Sequence, residues 1–160
     1  MAIYIEYEGI KGNITANGYK DHIGTSSLQF GVGRGISMEA GNLANREATR
    51  PSISEITFTK AADISSTSLF KEAVSGSAGK KVVIKFVQTG ADQLVEYMTY
   101  TLENCLVSGY SVSADGESDP VESISLSFAK IMVNYSDYDK SNKSATPQRV
   151  GYDLAIAKPL

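Results

Sequence analysis

The chain has one cysteine, one histidine and no tryptophan among its 160 residues. A lone cysteine, Cys105, cannot close an internal disulfide, and with a single histidine it cannot supply the usual zinc sets within one chain. Cys105 lies between Leu102 and Leu106 in a strand-like run, the setting of a buried, inert thiol rather than a nucleophile. His22 stands beside Asp21, but no nucleophile elbow carries a serine for it to activate, so His22 reads as structural or solvated. Long apolar runs are missing too. None approaches the ~20 residues of a membrane-spanning helix. Basic charge is not in excess: the net charge is −3, which gives no hold on nucleic acid or anionic lipid. The first residues, MAIYIEYEGIKG, alternate and contain Glu6 and Glu8, unlike the basic start and unbroken apolar core of a secretory signal. The expectation is a protein made and folded in the cytoplasm, or one that leaves by a signal-free route, with no cofactor, no metal and no catalytic centre.

Several motif-like pieces fall short of their chemistry. Gly31-Val32-Gly33-Arg34-Gly35 lacks the last spaced glycine of a dinucleotide fingerprint, and no helix follows it. Asp115, Glu117 and Asp119 have the alternate spacing that opens a calcium loop. Pro120 then stands where that loop needs glycine, and no closing bidentate acid follows, so a solvated hairpin turn is expected. Three Asn-X-Ser/Thr triplets, at Asn13, Asn134 and Asn142, carry no glycosylation argument without a signal peptide. The nine tyrosines are dispersed among strands, where packing is their ordinary use.

What is present is alternation. In Pro120–Tyr135, Ile124, Leu126 and Phe128 alternate with Ser123, Ser125 and Ser127, the period of a strand with one apolar and one small polar face. After Ala129–Lys130 the apolar phase moves to Ile131, Val133 and Tyr135, which implies a bulge, a bend or a change of sheet side. At ~3.3 Å per residue the run is long enough to cross a domain and serve two sheets in turn. It is expected to be the central strand. Further strands are expected at Ala2–Tyr7, His22–Val32, Ile53–Lys60, Lys81–Gln88, Leu94–Leu102 and Val150–Ile156. After a bulge or bend at Glu103–Asn104, Leu106, Tyr110 and Val112 continue the pairing. One short helix is expected after the capping residues of Asp63–Ser68, with its Leu69–Phe70 side packed on a sheet. Turns are expected at Thr89–Asp92 and Ala114–Pro120, and an exposed loop over Asp137–Arg149. Many strands, one helix and frequent turns predict a mostly β fold, a two-sheet sandwich or flattened barrel over residues 1–160 as a single domain.

Gly31–Pro51 has no clear period and several charges, and reads either as a floppy surface loop or as an interface segment. Its charged residues Arg34, Glu39, Arg46, Glu47 and Arg50 are the candidate contacts between subunits.

Asp119–Tyr135 (DPVESISLSFAKIMVNY) and Tyr97–Val112 (YMTYTLENCLVSGYSV) resemble the haemolysin-coregulated protein (Hcp) family of type VI secretion. So do Glu8–Gly12 (EGIKG), Glu55–Asp63 (EITFTKAAD) and Gly151–Leu154 (GYDL), in the family's order. The resemblance implies a barrel-like domain that forms homohexameric rings, stacked into the inner tube of a contractile machine. Its partners would be a sheath, a spike and effectors carried in the lumen, and part of the protein would be exported. It also implies that Gly31–Pro51 is an extended loop reaching a neighbouring ring, and that Thr25–Phe30 faces the channel. On that basis Gln29 is the candidate lumen-facing residue. Gln29 and the Ser123, Ser125 and Ser127 set each present a polar face; at most one need line a pore, and a plain solvent face is the alternative for both. Other readings of the chain are a phage-type tail tube protein or a non-catalytic β-sandwich ligand-binding module. The latter needs a concave aromatic face, and the absence of tryptophan counts against it.

Overall fold

Apolar and polar residues alternate along most of the chain, and the backbone answers with strands. The computed structural model describes residues 1–48, 50–90, 94–136 and 148–160, and only the backbone of residues 37–39 and 42–48. The first strands are β1 (Ala2–Tyr7), β2 (Ile23–Thr25), β3 (Ser27–Gln29) and β4 (Val32–Gly33). Next come β5 (Ile36–Glu39), β6 (Asn42–Ala48), β7 (Ser52–Ile53) and β8 (Ile56–Ala61). Helix α1 (Ser66–Ser75) leads to β9 (Lys80–Thr89) and β10 (Leu94–Ser113), and the chain ends with β11 (Val121–Ser127), β12 (Lys130–Tyr135), β13 (Gln148–Asp153) and β14 (Lys158–Pro159). The mostly β, two-sheet fold with one short helix is the one the sequence predicts.

The organising strand is β10, not Pro120–Tyr135. β10 runs 20 residues and pairs with β9 along one edge. Its other edge takes β12 from Met98 to Glu103 and β11 from Leu106 to Ser113. The Pro120–Tyr135 run therefore lies along β10 and breaks at Phe128–Ala129, where the change of apolar phase falls. Its two halves serve two sheets, as its length allows. One sheet runs β2-β1-β9-β10-β12-β13-β14 and the other β3-β8-β11-β10.

The sheets also meet at their far edges. β2 pairs with β1, and β3 pairs with β8, and between them the Ser26 amide donates to the Thr59 carbonyl at 2.8 Å. The single strand expected over His22–Val32 is thus two short strands that change partner at Ser26. This change closes a barrel in the order β1, β2/β3, β8, β11, β10, β9, which removes sheet edges that would otherwise invite aggregation. Val32 alternates in sequence with Leu28 and Phe30, yet it is exposed because by then the chain has left the barrel wall.

Inside the barrel sit Ile5, Ile23, Ile56, Phe58, Val82, Ile84, Leu102, Ile124 and Leu126, all fully buried. Leu69 from α1 joins them. Phe70 does not: it stays exposed and meets the Tyr110 ring edge-on at 5.8 Å between centroids. The helix therefore packs through Leu69 and Ala73 rather than through Leu69 and Phe70.

The expected bulge at Glu103–Asn104 is present. The β9–β10 register shifts between Leu102 and Cys105, and Asn104 has a left-handed φ of 54°. Gly79 makes room for it, since a Cβ there would come 2.7 Å from the Asn104 Cα. Cys105, next in line, is fully buried, and burial pushes its thiol up to about 12. It is protonated and inert at neutral pH. The closing strand begins at Gln148 and ends at Asp153, so it takes in two residues expected in the preceding loop. The rest of that loop, 137–147, lies outside the described residues, as do 91 and 92 of the expected Thr89–Asp92 turn.

Candidate functional site

The Gly31–Pro51 segment is not structureless. β4 pairs with β7 through Val32↔Ile53 and Gly33↔Ser52. Beyond them β5 pairs with β6 through Ile36↔Ala48, Ser37↔Glu47, Met38↔Arg46 and Glu39↔Asn42. Gly41, at φ 82°, makes the turn with a left-handed conformation that glycine adopts without strain. The segment is a two-stranded arm. No single period runs through it, because the ladder is interrupted between the two pairs and the β5–β6 register shifts between Met38 and Glu39. At ~3.3 Å per residue the arm reaches roughly 30 Å.

The candidate contacts map onto this arm. Glu39 lies on β5, and Arg46 and Glu47 lie on β6; their side chains fall outside the described residues. Arg34 and Arg50 are exposed and sit where the ladder is interrupted between the β4–β7 and β5–β6 pairs. The arm gathers all five residues onto one element.

Gln29 is exposed, and it is not alone. Registers through β3, β8 and β11 place Gln29 opposite Thr57 and Thr57 opposite Ser125. One row along, Ser27 faces Thr59, Thr59 faces Ser123, and Ser123 faces Ser111. Directly paired residues point to the same side of a sheet. Gln29 and the serines of β11 therefore share one face, where the sequence left them as alternatives. Their hydroxyls interlock: Ser27 Oγ lies 2.5 Å from Thr59 Oγ1, and Thr57 Oγ1 lies 3.3 Å from Ser125 Oγ. Thr57 and Thr59 were missed because their strand was read for its apolar side. Opposite this wall, Phe58, Ile124 and Leu126 fill the barrel.

A second cluster was also missed. Lys60 exposes none of its surface and Glu122 1%. They face each other across β8 and β11, on the inner side, at the barrel mouth that α1 covers. Lys60 Nζ lies 2.5 Å from Glu122 Oε1 and 3.0 Å from Asp63 Oδ1. Ser66 Oγ donates to Glu122 Oε1 at 2.6 Å, and the Tyr110 hydroxyl donates to Oε2. Asp63 Oδ1 also accepts from the Ser65 amide at 2.8 Å. The capping residues before the helix thus serve this network, and Ser65 makes no side-chain cap of its own. Burial pushes the Glu122 carboxyl up, but the hydrogen bonds from Lys60, Ser66 and Tyr110 and the Lys60 charge outweigh it and hold the group below its ordinary value. Burial, and then the Glu122 carboxylate it bonds to, push the Tyr110 hydroxyl up to about 12. Opposite charges at the apolar phase of two strands were the signal in the sequence: Lys60 continues Ile56 and Phe58, and Glu122 precedes Ile124 and Leu126.

The residues weighed for catalysis or metal binding are occupied locally. His22 is buried, with Nδ1 3.2 Å from the Lys20 carbonyl and Nε2 3.0 Å from Lys85 Nζ. Nδ1 therefore carries the ring proton, and Nε2 accepts from the lysine. Lys85 also donates to Glu6 at 3.0 Å. Asp115 Oδ1 accepts from the Glu117 and Ser118 amides at 2.9 and 3.0 Å. Those bonds hold its carboxyl below the ordinary range and make the turn an Asx type. No group of three or more His, Cys, Asp or Glu placed to hold a metal exists among the described residues. Among them, too, no helix is long and apolar enough to cross a membrane.

A family profile described as "Type VI secretion system effector, Hcp" matches residues 4–135. The chain belongs to the Hcp family. A related Hcp, protein hcp1 of Pseudomonas aeruginosa, is 28% identical over 104 residues, which span 64% of this chain and 64% of that protein. Solved structures reproduce the architecture. One described as a type six secretion system protein is 23% identical over 99% of each chain, with a TM-score of 0.91. Hcp1 from Salmonella typhimurium is 24% identical over 99% of this chain and 98% of that one, with a TM-score of 0.75. At these identities the likeness to solved structures is one of fold. The barrel, the hydroxyl wall and the arm are thus features of an Hcp.

Proposed function

We propose that this Hcp is a structural subunit of the inner tube of a type VI secretion system. Subunits close into hexameric rings, and rings stack into a hollow tube. The tube assembles in the cytoplasm and is fired through a sheath behind a spike, with effectors carried in its lumen, and part of the protein is exported. In this reading no reaction is catalysed. The work is assembly, in which one surface of a subunit pairs with a different surface of the next and the rotation closes.

The observation that carries the reading is the wall of Ser27, Gln29, Thr57, Thr59, Ser111, Ser123 and Ser125 on a rigid barrel. A transport lumen must stay wetted without holding cargo indiscriminately, and neutral hydroxyl and amide groups meet both needs. The arm supplies the reach for stacking.

Purified protein is expected to run as a ring-sized oligomer by light scattering at micromolar concentration and to show rings in negative stain. A monomer that persists to millimolar concentration sinks the reading. The orientation of the wall has its own test. In a Cys105→Ser background, Gln29→Cys is expected to react slowly in assembled tubes with a thiol reagent too bulky to enter them, and readily once the tubes are dissociated. Ready labelling of intact tubes would place the wall outside.

A further inference from the structure

We propose that the strip around Glu55 is a docking site for basic side chains of a polypeptide passing over the hydroxyl wall. The inference rests on the tube reading, which turns that wall toward cargo. Glu55 precedes β8 in the phase of Thr57 and Thr59, so it stands at the end of the wall. It is exposed, and Ser108 Oγ donates to its Oε2 at 2.7 Å. Its Oε1 has no partner among the described residues, so the serine fixes the carboxylate and leaves one oxygen presented.

Two depressions meet at this carboxylate and share Ser54 and Glu55 in their linings. One, of about 530 Å³, is lined further by Gln29, Phe30 and Thr57. The other, of about 230 Å³, is lined further by Ser127, Phe128 and Leu154. Each therefore combines an aromatic residue, a hydroxyl residue and Glu55. Lysine and arginine carry an apolar stem and a charged tip. The stem fits against the half-buried Phe30, and the tip reaches Oε1. Arginine can also stack its guanidinium on such a ring.

The rest of the wall makes the site selective. On the outward phase of β3, β8, β11 and the Leu106–Ser113 half of β10 no residue is ionisable. Glu55 is then the charge that decides which polypeptides are retained, and acidic ones are repelled. A closed ring repeats the site once per subunit, so a weak contact is multiplied by the others along the same chain.

The test uses isolated rings and a fluorescein-labelled peptide of alternating arginine and glycine, with its glutamate–glycine counterpart, read by fluorescence anisotropy at low salt. The arginine peptide is expected to bind and the glutamate peptide not to. Glu55→Gln is expected to weaken binding about fivefold on a single subunit and more than tenfold on rings. Glu117→Gln, an exposed carboxylate in the Ala114–Pro120 turn, should leave it unchanged. Equal binding by wild type and Glu55→Gln, or no binding by wild type, overturns the proposal. So does a Glu55→Gln variant that changes ring stacking while peptide binding stays constant, because Glu55 would then serve contacts between copies. Light scattering on the same samples separates the two readings. Glu55-dependent binding to a protein that never forms rings upholds the docking site and removes the tube.

Discussion

Replacing Lys60 by methionine is expected to cost about 3 kcal/mol of folding stability, the low end for breaking a buried ion pair. At 160 residues that lowers the melting midpoint by roughly 6–12 °C. The cause is not loss of attraction alone. Glu122 would remain inside the barrel mouth with hydroxyl donors from Ser66 and Tyr110 and no counter-charge, and an unpaired buried carboxylate is far costlier than a paired one. Glu122→Ala should cost less, because Asp63 still lies 3.0 Å from the ammonium. Replacing the pair together, Lys60→Met with Glu122→Leu, should recover most of the loss, since a well-packed apolar pair often equals a buried ionic one.

The pH profile separates this account from a simple packing defect. In the wild type the folded Glu122 carboxyl lies below its ordinary value of 4.5. Its contribution is therefore full above about 4.5 and is lost as pH falls through the lower folded value. In Lys60→Met the sign reverses. Burial without the cation raises the carboxyl, so its contribution is full in acid and is lost as pH rises through the raised value. Urea denaturation of both proteins from about pH 3 to about pH 8, a window that spans the ordinary carboxylate value near 4, should give curves that converge in acid and diverge toward neutrality. Parallel curves, or a loss under about 1 kcal/mol, would show that water reaches the pair and that the network is as weak as a surface bridge.

Legibility followed burial. Strands with one wall in the core, such as β1, β8 and β11, declare themselves by period, and their inner residues Ile5, Phe58 and Ile124 are buried. Changes of partner do not declare themselves. Nothing in the residues around Ser26 says that β2 ends on one sheet and β3 begins on the other, because Gly24, Thr25, Ser26 and Ser27 suit either. The bend at Phe128–Ala129 was legible as a change of phase, but not the length of β10, whose bulge at Asn104 splits one strand into two apparent ones. The arm was invisible because its ladder is interrupted after Gly33 and shifts register between Met38 and Glu39, so no single period runs through it. For the site, Gln29 was picked by resemblance. Its companions Thr57 and Ser125 emerged only from register, which single-strand patterns do not contain. Lys60 and Glu122 were legible in principle, each standing in an apolar phase, but cross-strand pairing was needed to see them as one feature.

Excision of Ile36–Ala48 is expected to abolish stacking of rings into tubes and to leave the barrel folded. Among the described residues β5 and β6 pair only with each other, so removing both takes no hydrogen bond from the described barrel ladders. Joining Gly35 to Thr49 leaves Arg34, Gly35, Thr49, Arg50 and Pro51 as the loop between Gly33 and Ser52, a pair that already holds the ends together. Loops of this length are common between paired strands. The arm, by contrast, lacks reasons to be stable alone. An isolated two-stranded hairpin is marginal in water and needs a third strand or a packing surface. In the tube reading that surface belongs to a neighbouring ring, and Glu39, Arg46 and Glu47 go with the arm. Charge deletion on its own should do much less: Arg46→Ala is expected to weaken stacking by under ~1 kcal/mol, as for most rim charges. Sedimentation and negative stain would report tube length, and thermal denaturation the barrel. If the shortened protein unfolded, or if it stacked into tubes of wild-type length, the arm would not be the stacking element.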